Sequence, residues 1–179
     1  MTTIMEDLNA LTLTEPWAAL VWRWEKRIET RSWCTNHRGD IAIHAGKGLA
    51  GVSKAEYRAR CRHPYSFGPV LQRHWPTAGN PTLPDPLPRG AILIIVEIVD
   101  CIRTEDLVRA GRVTRQTKAG AAVTWELTAQ ERAFGDYTEG RWAWLLANPR
   151  PLVTPIATPG ARRLWRIPAA VRTQILNQL

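Results

Sequence analysis

Ala91-Ile92-Leu93-Ile94-Ile95-Val96 is an unbroken apolar run, and no run in the chain is longer. It lies inside Gly90–Cys101, a stretch dominated by β-branched residues. The run is far short of the roughly 18 residues a membrane helix needs, and its composition favours a strand. Successive strand side chains point to opposite faces. An unbroken apolar run therefore needs cover on both sides of its sheet, so this strand is central and other elements pack above and below it. Glu97 is the first polar interruption. A carboxylate so placed is either paired or shifted in pKa, as functional carboxylates often are, or lies at the solvent-facing end of its strand.

The elements around this strand can be read from periodicity and turn chemistry. Leu8–Leu13 alternates as a strand. Thr14 fits a helix N-cap with Pro16 in the first turn, and Trp17, Leu20, Val21 and Trp24 have helical spacing. Ile28–Trp33 and Asp40–His44 read as strands, the second running into a glycine turn at Gly46-Lys47. Ser53–Cys61 reads as a short helix, and Trp75–Arg89, with Pro76, Pro81, Pro84, Pro86 and Pro88, as a loop. Thr104–Val108 starts another helix, and Gly111–Ala122 reads as a basic surface loop. Thr128 and Glu131 form a capping-box pattern. Arg141–Leu146 is a strand, Pro149–Pro155 is extended, and Ala161–Ile167 closes the sheet. Pro168–Leu179 is a helix with Val171, Ile175 and Leu179 on one face. Strands interleaved with short helices, without βαβ alternation, imply an α+β, mainly β fold: a small mixed barrel with inserted helices. At 179 residues the expectation is one domain, 1–179.

Charge and cysteine content narrow the function. Twenty-four Lys and Arg against sixteen Asp and Glu give +8. Residues 1–100 hold 12 basic and 10 acidic side chains, and 101–179 hold 12 and 6, so the excess lies mainly in the second part. Such a surface concentrates polyanions, and its dominance by arginine suits bidentate phosphate or base contacts. Solubility alone is the plainer account. Nine tryptophans against two phenylalanines is a further bias. Most fill cores, while some suit base stacking, worth on the order of 1–3 kcal/mol each. Met1–Leu8 lacks a signal-peptide core, and Cys34, Cys61 and Cys101 form no CxxC, so a cytoplasmic, reducing setting is expected. Cys34-x-x-His37 and Cys61-x-His63 have spacings that arise by chance, and neither a metal nor a cofactor is expected.

The segment Trp24-Glu25-Lys26-Arg27-Ile28-Glu29-Thr30-Arg31-Ser32-Trp33 suits a site. In a strand, Glu29, Arg31 and Trp33 share one face, and an acid, a guanidinium and an aromatic together resemble a polar pocket more than a core. Lys26 suits a phosphate contact or, if desolvated, a base or nucleophile, against a surface lysine paired with Glu25 or Glu29. Glu29 and Arg31 suit a base edge or a ribose hydroxyl, or equally a structural ion pair. His44 suits a pocket rim, with Lys47 and backbone amides facing an anion. Trp17 and Trp33 suit flanking a base, Trp17 equally anchoring its helix. Trp142 and Trp144 share a face turned to the core, with Arg141 pointing the other way.

Three blocks carry a family resemblance: Leu11–Ala18 with its Pro16-Trp17 pair; Lys26–Trp33 leading to Arg38-Gly39 and Ile43-His44-Ala45; and Gly90–Val99 with Tyr137–Trp144. Together they resemble the ASCH domain, a member of the PUA-like barrel superfamily, and the second block is similar to its signature G-x-K-x-x-E-x-R. Trp24 stands where that signature has glycine, which implies a different exit from the first helix. The stretch 61–89 is similar to an insertion in the minimal domain. The resemblance implies binding of RNA, of another nucleic acid, or of a nucleoside-like small molecule, in a cleft between the first helix and the barrel. One subfamily hydrolyses N4-acetylcytidine with a Lys, a Thr three residues on and a later Glu, and other members have been assigned ribonuclease activity. Lys26 matches that lysine, Glu29 stands at the threonine position, and Glu97 is the match for the later glutamate, so the amidohydrolase triad is not intact. The expectation is a nucleic-acid-binding cleft of Trp17, Lys26, Glu29, Arg31, Trp33, His44, Lys47 and Arg141, the alternative a hydrolase using Lys26, Glu29 and Glu97. No membrane partner is expected, and the oligomeric state is left open.

Overall fold

A computed structural model of the chain describes residues 7–49, 53–62, 66–80, 82 and 86–179. His63, Pro81, Pro84 and most of the Met1–Leu8 reading lie outside these residues. In chain order the elements are β1 (Asn9–Glu15), α1 (Trp17–Trp22), β2 (Ile28–Arg31), β3 (Gly39–Leu49), α2 (Lys54–Arg62), α3 (Gly68–His74), β4 (Ala91–Arg103), α4 (Thr104–Ala110), β5 (Arg112–Gln116), β6 (Ala122–Glu126), α5 (Ala129–Ala133), β7 (Trp142–Ala157), β8 (Leu164–Arg166) and α6 (Ala169–Leu176). The fold is α+β and dominated by strands.

The apolar run of β4 lies near the middle of a six-stranded sheet ordered β2-β7-β4-β3-β1-β8. All its neighbouring pairs are antiparallel except β1 and β3. Both faces of β4 are covered, as an unbroken apolar strand requires. Leu93, Val96 and Ile98 pack with Leu11, Leu13, Ile41 and Ile43 and with Ala18 and Val21 of α1. Ile92 and Ile95 pack on the other side with Ala10, Ala42 and Leu152 and with Val171 and Ile175 of α6. Each buried Leu or Ile of these layers contributes about 1.5–3 kcal/mol. The ladder ends at β2 and β8, and β5 with β6 forms a separate hairpin.

Several expectations are corrected. The strand at Asp40–His44 does not stop at a glycine turn, since β3 continues through Gly46 and Gly48 to Leu49 and keeps pairing with β1. Gly111–Ala122 is not a loop, because most of it is the hairpin β5–β6, with the Thr114 and Thr124 hydroxyls 2.8 Å apart across it. The N-cap of α1 is Pro16 rather than Thr14, and the Glu15 carboxylate accepts from the Ala19 N–H at 3.0 Å. Residues 68–74 form α3, and Phe67, Val70 and Leu71 pack with Ala19, Leu20 and Tyr57 between α1 and α2.

The exit from α1 also departs from expectation. Trp24 itself takes the left-handed conformation (φ 59°) that glycine would supply. The Trp24 N–H donates to Val21 O at 2.9 Å and the Glu25 N–H to Leu20 O at 2.9 Å. These are the paired bonds of a Schellman cap. Trp24 thus holds the turn at the cost of left-handed backbone strain, about 1–2 kcal/mol, and its ring packs against the core beside α1.

Candidate functional site

The cap on α1 turns the chain so that Lys26 lies beneath β2. Lys26 is 1% exposed. Its Nζ donates to Ile28 O and lies 3.4 Å from Glu29 Oε2. Glu29 Oε1 in turn lies 3.5 Å from Arg31 Nη1. The acid of β2 is therefore shared by a buried ammonium and a half-exposed guanidinium. β2 is an edge strand, paired through Glu29–Trp144 and Arg31–Trp142 with β7. It ends at Arg31, so Trp33 lies past the strand and sits edge-on against Trp144, ring centroids 4.7 Å apart.

The opposite wall comes from α5 and the residues after it. Thr128 caps α5 by accepting from the Glu131 N–H at 3.1 Å. The capping box is only half made, because the Glu131 side chain does not reach back to Thr128. Its Oε1 accepts instead from the Arg27 N–H at 2.6 Å. Burial pushes the Glu131 carboxyl above its ordinary value, opposed by Lys26 and by the amides of Arg27 and Ile28. Burial, with Glu131 and Glu29 nearby, also pushes the Tyr137 phenol up, and the buried Tyr137 hydroxyl has no hydrogen-bond partner. The Asp136 N–H donates to Thr30 Oγ1 at 3.0 Å, which ties this wall to β2. Gly135 makes that approach possible, since a Cβ there would lie 2.7 Å from the Tyr137 ring and 3.1 Å from Thr30 Cγ2.

Between these walls lies a cleft of about 390 Å³, lined by Trp17, Glu29, Thr30 and Arg31, by Arg60 of α2, and by Phe134, Asp136 and Arg141 among others. Trp17 forms an apolar side of it, edge-on to Phe67 at 5.4 Å and tilted against Phe134 at 6.5 Å. Each arginine at the cleft has an acid beside it: Arg31 has Glu29, Arg60 has Glu56 at 3.3 Å, and Arg141 has Asp136 at 3.3 Å. Hydrogen bonds from the Thr138 hydroxyl and amide, helped by Arg141, hold the Asp136 carboxyl below its ordinary value. An aromatic wall, an acid able to accept from a base edge and guanidiniums able to meet phosphate therefore face one space.

The predicted residues are only partly gathered here. Trp17, Glu29, Arg31 and Arg141 line this cleft, and Lys26 lies under its floor. His44 and Lys47 line a separate cleft of about 430 Å³, with Thr12, Gly160 and Arg162. There His44 is 2% exposed, its Nε2 lies 3.0 Å from Thr158 O, and burial lowers its pKa. Glu97 lines neither cleft. Its Oε1 accepts from the Lys118 N–H and its Oε2 from Asn148 Nδ2, both at 2.6 Å. Sequence reasoning missed Glu131, Tyr137, Asp136 and Arg60 as site neighbours. The capping-box pattern did flag Glu131, but only as a helix start. No group of three or more His, Cys, Asp or Glu able to hold a metal occurs among the described residues. No described helix is long and apolar enough to cross a membrane.

Comparison with known proteins gives this geometry its family. Activating signal cointegrator 1 from Mus musculus is 24% identical over 162 residues, and the Homo sapiens protein of the same name is 23% identical, each match covering 90% of this chain. The chain spans about a fifth of the length of these curated relatives, 22%. A crystal structure of ASCH from Zymomonas mobilis superposes with a TM-score of 0.48 at 12% identity, covering 96% of this chain and 94% of that one. A point mutant of the same protein gives 0.47 at 14%, with 97% and 99% covered. The ASCH domain profile matches residues 11–156, from β1 to the end of β7, and the chain belongs to the ASCH domain family.

Proposed function

We propose that the cleft between β2, α1 and the segment after α5 binds nucleic acid, single-stranded RNA or a nucleotide with a modified base. The observation that carries this reading is the meeting of Trp17, Glu29, Arg31, Arg60 and Arg141 around one space. Single-stranded nucleic acid is held by stacking on aromatic rings and by cations along its backbone, and a carboxylate adds a base-edge contact. Nucleic-acid association, as the family resemblance implies, fits these residues. In this reading the six-stranded sheet is the wall of a PUA-like barrel, and the stretch 61–89 is an insertion whose α3 packs against α1.

Hydrolysis on the same cleft, of N4-acetylcytidine or of RNA, is the alternative. It would require the Lys26 ammonium to reach a substrate, whereas Nζ is turned to Ile28 O and Glu29. Fluorescence anisotropy with labelled single-stranded RNA tests the binding reading. Arg31→Ala and Arg141→Ala should each weaken binding about fivefold or more, the loss of about 1 kcal/mol per contact. The reading fails if no RNA or DNA gives salt-sensitive binding at micromolar protein. Release of acetate from N4-acetylcytidine by the wild type, abolished in Glu29→Gln, would put the hydrolase reading in its place.

A further inference from the structure

Two of the three cysteines meet in the fold although 67 residues separate them. The Sγ atoms of Cys34 and Cys101 are 3.7 Å apart. Cys34 follows Trp33 in the connection between β2 and β3 and is exposed, while Cys101 lies on β4 and is buried. To form a covalent bond the sulfurs would have to close by about 1.7 Å, a distance side-chain rotation can supply.

We propose that Cys34 and Cys101 are a peroxide-responsive dithiol, with Cys34 the sulfur that is oxidised and Cys101 the sulfur that resolves it. Exposure gives Cys34 access to the oxidant. Its thiolate attacks one oxygen of hydrogen peroxide, the O–O bond breaks, and Cys34 becomes a sulfenic acid as hydroxide departs, which takes up the proton the thiol had released and leaves as water. Cys101 then attacks the Cys34 sulfur, its own proton leaves with the hydroxyl as a second water, and a disulfide remains. One peroxide is reduced, two thiols are oxidised, and a cellular dithiol reductant reverses the step. Cys34 meets the oxidant first because it is exposed while Cys101 is buried, and burial also pushes the Cys101 thiol up to about 11.

The bond would change a defined part of the molecule. Cys101 pairs across the sheet with Trp144, the ring on which Trp33 sits. A disulfide at Cys34 therefore staples the segment that follows Arg31 to the central strand. Closing a loop of this length restricts the unfolded chain and raises thermal stability.

The experiment is mild hydrogen peroxide treatment of the full chain, followed by intact mass, peptide mapping and thermal unfolding. The expected result is a loss of about 2 Da, a Cys34–Cys101 peptide, free Cys61, and a midpoint raised by about 5 °C or more, all reversed by dithiothreitol. Cys34→Ser, a change at an exposed position, should show neither the mass loss nor the thermal shift. The proposal is overturned if Cys34 over-oxidises while Cys101 stays free, if Cys34 links two molecules, or if the mapped bond involves Cys61.

Discussion

Lys26 carries an ammonium into a place it shares with two carboxylates. It is almost wholly buried, pairs with Glu29, and favours the charged form of Glu131. A buried ion pair is weak evidence of net stabilisation, but removing one partner leaves the other charge uncompensated. Lys26→Met should therefore cost about 3–5 kcal/mol in urea unfolding, because Glu29 and Glu131 lose their shared cation. Tyr137 in the same pocket has the opposite expectation. Its hydroxyl is buried without a partner, and a buried donor left unsatisfied carries the full cost of desolvation. Tyr137→Phe should be neutral or stabilising, by up to about 1 kcal/mol on the same measurement. If Tyr137→Phe destabilises markedly, the hydroxyl has a bonding role in the folded protein and this account of the pocket fails.

At the scale of elements, Glu97 belongs to a hairpin rather than to the cleft. Its two oxygens receive the Lys118 N–H in the β5–β6 turn and the Asn148 side chain on β7. Glu97→Ala should lower stability by about 1–3 kcal/mol and speed amide exchange at Lys118, leaving RNA affinity in the cleft unchanged. A loss of affinity with intact stability would return Glu97 to the site. The sequence located this carboxylate on a central strand but not its partners, which lie 21 and 51 residues further along. The hairpin itself was illegible for a different reason. Arg112–Gln116 is exposed at nearly every position, so no apolar period marks it as a strand. The buried elements β1, α1, β4 and α6 were legible because their apolar spacing follows from burial, although α6 ends at Leu176 and Leu179, read onto its apolar face, is exposed. The same logic explains the site. Glu29 and Arg31 were readable as neighbours from strand alternation alone, whereas Arg60, Asp136 and Tyr137 come from other elements, and only the tertiary fold brings them in. Trp24 shows the limit of reading a motif by residue type. The left-handed turn survives without its glycine because the Schellman bonds and the packing of the indole over-determine it.

Over the whole molecule the charge of +8 attracts any polyanion, so attraction alone does not identify a binding surface. The number of phosphates neutralised does, because each releases condensed counterions and steepens the salt dependence of binding. Arg31, Arg60 and Arg141 at the cleft give three candidate phosphate contacts. For single-stranded RNA, a plot of log affinity against log salt should then have a slope of about −2, at roughly 0.7 per phosphate. Because each of these arginines stands beside a carboxylate, binding also requires it to be shared between that acid and the ligand. Replacing any one with alanine should flatten the slope by about 0.7, while replacing an arginine away from the cleft, such as Arg172 on α6, should leave it unchanged. A diffuse basic surface predicts a different pattern: a steeper slope that no single substitution alters and that falls only as total charge is removed. Measuring the slope across these variants therefore separates a cleft that holds a strand from a protein that merely attracts one.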